Sequence, residues 1–170
     1  MFHASQRAAI TNPRTLPEEV QKLLLKNSIS PLPLHKTLVL LETLKEHEDE
    51  RYSEHERLAL AKAIVFQISN LHFGPEVGIG PAKPDASVVA SWLNGMREMV
   101  EDLRALRVKA HTRSVVHRAD SRRLSEVLEP GSVDAVITSP PYPNEKDYTR
   151  TTRLESVLLG FIRNKEDLRL

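Results

Sequence analysis

The sequence predicts an α+β chain: an all-α region over residues 1–112, then the start of an α/β sheet over residues 113–170. Three observations carry this reading. Apolar residues recur at helical spacing from Val20 to Leu106. The texture then changes to two short β-branched runs, residues 114–120 and 133–138. Between the runs lie one or two potential helical turns at 121–128 and a turn at Glu129-Pro130-Gly131. Strand, short helix, strand is the opening of a parallel α/β unit.

Each element has its own local signal. Thr15-Leu16-Pro17-Glu18 has the form of a capping box, and Val20, Leu23 and Leu24 extend a first helix to about residue 27. Pro31 and Pro33 interrupt before a second helical pattern through Leu34, Leu38, Leu41 and Leu44. Ser53-Glu54-His55-Glu56 is another capping box. It opens a stripe of Leu58, Ala61, Val65 and Ile68, widened by Ile64 and Leu71. Residues 74–84 hold three of the six glycines and three prolines, the composition of a loop or linker. Asp85 is placed to cap a long amphipathic helix over 87–109, with Val89, Trp92, Met96, Met99, Val100, Leu103 and Leu106 on its apolar positions. This stripe and the one from Leu58 to Leu71 can cover each other. In the second strand Val133, Ala135, Val136 and Ile137 are apolar enough for burial on both faces. A last helix, 149–163, carries Leu154, Val157, Leu158 and Phe161 on one side.

Composition narrows the function classes. With 40% hydrophobic and 28% charged residues among 170, the chain has the balance of a soluble protein. No apolar run approaches the roughly 18 residues of a membrane span. Met1-Phe2-His3-Ala4-Ser5-Gln6 lacks the cationic start and apolar stretch of a secretion signal, so a cytoplasmic location is expected. The absence of cysteine excludes disulfides, thiolate metal sites and thiol nucleophiles. The seven histidines show no metal-ligand spacing, and no metal site is expected. Charge is unevenly placed: seven basic residues face one acid, Asp120, between Arg104 and Arg123.

The chemistry-bearing stretch follows that basic segment. The second strand ends on Ser139-Pro140-Pro141-Tyr142. In open parallel sheets ligands bind beyond the carboxyl ends of the strands, where these residues would lie. Pro140 and Pro141 fix φ and lack N–H donors, so the loop is stiff and presents carbonyl acceptors. Tyr142 adds a face on which a planar ring can stack. Together they describe a site for an exocyclic amino group on an aromatic ring.

Thr138-Ser139-Pro140-Pro141-Tyr142 resembles motif IV of the amino-methyltransferases of nucleic acids. The preceding residues 117–124 and 131–137 are similar to the lead-in of the permuted, restriction-modification type of these enzymes, with Ala119-Asp120 where that family commonly has Gly-Asp. The resemblance implies a Rossmann-like methyltransferase sheet, of which residues 113–170 would be the first part, and S-adenosylmethionine as methyl donor. It implies DNA as substrate, with the base flipped from the stack and methylated at cytosine N4 or adenine N6. Serine before Pro-Pro-Tyr implies mainly cytosine. Ser139, Pro140, Pro141 and Tyr142 would hold the reacting base, and the lack of cysteine fits amino methylation rather than methylation at carbon 5. Asp120 is a candidate cofactor contact or a helix cap. Lys146, Arg150 and Arg153 are candidate DNA contacts. A cognate restriction nuclease or a separate C-terminal catalytic portion is an expected partner. The rival expectations are a non-catalytic remnant or helical partner-binding subunit, and an RNA or protein-glutamine substrate.

A glycine-rich cofactor turn following a strand is missing from the sequence, because Gly74, Gly78 and Gly80 follow a helical stripe and are closed by Pro81. In permuted relatives that loop lies far downstream of the Pro-Pro-Tyr segment, and 28 residues follow Tyr142 here. The chain therefore reads as the front of a longer enzyme. Residues 1–170 alone are expected to bind S-adenosylmethionine weakly or not at all by titration calorimetry. Low-micromolar binding would return Gly74 to Gly80 to candidacy.

Overall fold

In the computed structural model, which describes residues 12–74, 76–139 and 148–169, the helix expected near the N-terminus is a single turn, α1 (Glu18–Gln21). Its N-cap is Pro17 and no side chain caps it, so the Thr15 box does not form. The chain then turns through Asn27, at φ 63°, a left-handed conformation that asparagine tolerates. Pro31 and Pro33 do not interrupt the second helix. They start it: α2 is Pro31–Glu46, with proline in the first turn, where its missing N–H costs nothing. Thr37, fully buried in this helix, donates its hydroxyl to the Pro33 carbonyl at 2.8 Å.

Helix α3 (Ser53–Ala63) begins at the expected serine, but Tyr52 is its N-cap and no side chain closes the box. It continues as a π-turn, Ile64–Ile68, closed by the Ser69 N–H on the Ile64 carbonyl at 2.9 Å. That extra residue puts Ile64 and Ile68 both at zero exposure. The glycine-rich stretch is not all loop. Strand β1 (Leu71–Phe73) pairs antiparallel with β2 (Val77–Ile79), in register Leu71 to Ile79 and Phe73 to Val77.

Helix α4 (Val88–Ala105) follows, and Asp85 serves as the ion-pair partner of Lys36 at 2.5 Å. The faces that bring α3 and α4 together are not the predicted stripes, since Leu58 is 60% and Val89 52% exposed. Gly95 approaches Ala59 so closely that an added Cβ would lie 3.4 Å from the alanine's own. Beside it, the Trp92 indole N–H donates to the Glu56 carbonyl at 3.1 Å.

The last helix is broken in two, α5 (Tyr148–Thr151) and α6 (Arg153–Leu158), and Phe161 beyond them is exposed. From α6, Leu154 and Leu158 join Leu40, Leu60, Ala63, Ile64, Ile68 and Val88 in one buried cluster. The described residues fall into two units, one drawn from Met1–Asp102 and Asp147–Leu170, the other from Leu103–Lys146. This cluster belongs to the first.

The second unit departs from the expected start of a parallel sheet. Residues 114–120 and 133–138 form no strand, with Val116 95%, Val136 80% and Ile137 100% exposed. Among the described residues the sheet is the β1–β2 pair alone. A parallel strand needs neighbours to take its backbone N–H and C=O groups and helices to cover both faces. The described part of this unit supplies the end of α4, the 3-10 turn Leu106–Lys109 and the 3-10 segment Ser121–Glu126. The observed fold is thus α+β through helices and one antiparallel hairpin, without the Rossmann-like pairing.

Asn70 joins the pieces of the first unit. It is 3% exposed and donates its side-chain amide to the Asn27 carbonyl at 2.9 Å and to Ser30 Oγ at 3.1 Å. Its Oδ1 accepts the Lys83 backbone N–H at 2.7 Å. Each buried group left unmet costs about 1–3 kcal/mol. Asn70→Ala is therefore expected to lower the urea midpoint well beyond Ser30→Ala, which removes one of these partners; equal midpoints would show that the network does not bear on stability.

Candidate functional site

Ser139 is the one member of the predicted base-binding quartet within the described residues, and it is exposed at the end of the unpaired 133–138 segment. Pro140, Pro141, Tyr142 and Lys146 lie outside the described residues. Upstream, the chain reaches this point through a locally ordered acid–base pair. Asp120 caps the 3-10 segment Ser121–Glu126 by accepting the Arg122 backbone N–H at 2.9 Å. Its two carboxylate oxygens also take the Arg122 guanidinium, at 3.0 Å from Nε and 2.6 Å from Nη2. The side-chain bonds from Arg122, and after them the backbone bond, hold the Asp120 carboxyl below its ordinary range. One turn on, Arg123 pairs with Glu126.

Arg150 and Arg153 sit in the first unit and are both partly buried. Arg153 Nη2 donates to Thr149 Oγ1 at 3.0 Å, and Arg150 Nη1 lies 3.9 Å from Glu76 Oε2. These arginines brace the start of α6, a role the sequence pattern did not separate from phosphate contact. Among the described residues no three His, Asp or Glu side chains converge as a metal site. No described helix is long and apolar enough to cross a membrane.

The described residues do not fit S-adenosylmethionine. Gly74, Gly78 and Gly80 belong to the β1–β2 hairpin, where the Gly80 N–H is spent on the Asn70 carbonyl at 2.7 Å. The Asp120 carboxylate is taken up by Arg122. A groove of about 320 Å³ in the first unit is lined by Leu41, Leu44, Glu56, Arg57, Leu158 and Gly160. Its Arg57 is occupied by the Leu159 carbonyl at 3.3 Å and by the Phe161 ring, whose centre lies 5.3 Å away. Nothing in it presents a glycine-lined backbone to a nucleoside.

The chain is similar to the Type II methyltransferase M.BsoBI of Geobacillus stearothermophilus, at 36% identity over 77 residues. That stretch is 44% of this chain and 15% of the relative's length. No family profile and no solved structure matches the chain.

One group near the site was not legible as special. Glu155, among the apolar residues of α6, has a buried Oε2 without a hydrogen-bond partner among the described residues. Burial raises its pKa, against a smaller lowering by its own backbone N–H. The folded chain thus holds this proton more tightly than the unfolded one. The resulting stabilisation is complete below the ordinary glutamate value of about 4.3 and is lost as pH rises through the raised value. Glu155→Gln should raise the melting temperature at pH 7, with the gain fading towards pH 4. A loss of stability at pH 7 would mean that the carboxylate is held by a cation.

Proposed function

We propose that this chain is the target-base-binding portion of a DNA amino-methyltransferase, which moves a methyl group from S-adenosylmethionine to the exocyclic amine of a flipped base, cytosine N4 first and adenine N6 second. The observation that carries the reading is the Ser139-Pro140-Pro141-Tyr142 signature at the end of an apolar β-branched run, in a chain similar to a Type II methyltransferase. The exposure of Ser139 is compatible with contact to an incoming base.

In this reading the Ser139 hydroxyl and the Pro140 carbonyl accept the two protons of the amine. That localises the nitrogen lone pair, which is otherwise delocalised into the ring. Tyr142 stacks on the base, a contact worth about 1–3 kcal/mol, and Pro141 keeps the loop stiff between them. The described residues offer no cradle for the methyl donor, so the roles assigned here stop at the target base. Asp120 could turn to the cofactor only by releasing Arg122. Lys146 is placed to meet a phosphate. Arg150 and Arg153 can do so only by exchanging the contacts described above.

A second reading, a helical subunit that binds a protein partner, draws support from the outer face of α4, where Val89, Leu93 and Val100 are exposed at helical spacing. Nucleoside mass spectrometry of DNA treated with the gene product that carries this chain separates the two. N4-methylcytosine is the expected product. N6-methyladenine alone would overturn the cytosine assignment, methyl on carbon 5 would overturn the mechanism, and no methyl transfer would favour the second reading. Ser139→Ala should lower kcat by a larger factor than it raises the Kd for DNA, because it removes an acceptor from the reacting amine and leaves phosphate contacts in place.

A further inference from the structure

The second unit carries a concentration of uncompensated positive charge. Between residues 103 and 119 stand Arg104, Arg107, Lys109, Arg113 and Arg118, and no acid. Every residue of this stretch is exposed, and none of the five cations makes a side-chain ion pair or hydrogen bond among the described residues. The next acids, Asp120 and Glu126, are already taken by Arg122 and Arg123 and do not neutralise the five.

Fold stability accounts for only part of this pattern. Arg104 in the last turn of α4, and Arg107 and Lys109 in the 3-10 turn after it, lie where a helix macrodipole favours cations. Arg113 and Arg118 lie beyond any helix and gain nothing from it. A membrane surface is a poor match. Residues 113–120 form no helix, so the stretch has no continuous apolar face to insert. A linear polyanion is a better match, because it can follow an extended run of separate cations and reward each by counterion release.

We propose that Arg104, Arg107, Lys109, Arg113 and Arg118 form a phosphate-backbone contact surface for duplex DNA, independent of base sequence. This takes over the phosphate role expected of Arg150 and Arg153. The assignment of DNA rather than another polyanion rests on the proposed function.

The test is fluorescence anisotropy of the full 170-residue chain with a labelled 25-base-pair duplex of arbitrary sequence, between about 50 and 200 mM salt. Five phosphate contacts give a log K against log salt slope of about −4.5, or roughly 500-fold weaker binding across that range. The variant with all five changed to glutamine should keep the wild-type thermal melt, because these side chains pack against nothing, and should lose most of the slope. Wild-type slope in that folded variant, or no duplex binding by the wild-type chain, would overturn the surface. Tighter binding to an RNA of equal length or to phosphatidylserine vesicles would overturn its assignment to DNA. Absence of methyl transfer by the gene product, with this salt-dependent duplex binding intact, removes the proposed function and leaves the surface standing.

Discussion

A buried asparagine organises the first unit. Asn70 follows the π-turn and precedes the hairpin, so its side chain lies where three stretches that lack regular structure must meet: the turn after α1, the end of α3 and the approach to α4. Such segments leave backbone groups without helical or sheet partners, and burying those groups costs free energy unless each finds a bond. Asn70 serves several together. Its backbone N–H goes to the Ser28 carbonyl at 2.8 Å and its backbone carbonyl takes Gly80. Removing it would unfasten the cover over Ile64, Ile68 and Val88, even though it contributes nothing apolar to that cluster.

This explains which parts of the fold were legible in the sequence. Long amphipathic patterns identified α2, α3 and α4, because a helix that buries one stripe advertises it in every turn. The Pro31 signal was visible but ambiguous: the same residue breaks a helix interior and starts a first turn, and only the neighbouring contacts decide. The π-turn and the hairpin had no such signature. An extra residue in a helix leaves the composition unchanged, and Gly74 and Gly78 are as natural in a tight hairpin as in a linker. The close approach of Gly95 to Ala59 was likewise invisible, since apolar periodicity points to large residues and these helices meet through small ones.

The expected strands at 114–120 and 133–138 fail for a different reason. Valine and isoleucine runs state that a segment is suited to burial between neighbours; they do not supply the neighbours. Local propensity is cheap to read, whereas sheet pairing is a property of what else is present. The candidate site shares this split. Ser139 and its Pro-Pro-Tyr sequel are recognisable as a string of residue types, and the acid–arginine pairing of Asp120 was half anticipated as a cap. By contrast, the bracing roles of Arg150 and Arg153 depend on Thr149 and on Glu76, distant in sequence, and could not be read from charge spacing.

The π-turn also sets how this chain can tolerate changes in length. It holds one residue more than an α-helix of the same span, and each helical residue turns the chain by about 100°. Deleting any residue between Ile64 and Ile68 would restore an unbroken α-helix and swing everything after it by that angle. Ile68 would leave the cluster, and Asn70 would face away from Asn27 and Ser30. The exposed turn between β1 and β2 carries no such constraint, because an inserted residue there only lengthens a loop whose ends are already paired. Insertions and deletions in this protein should therefore accumulate at the hairpin tip and be absent from the end of α3, where a single residue of slack is already in use.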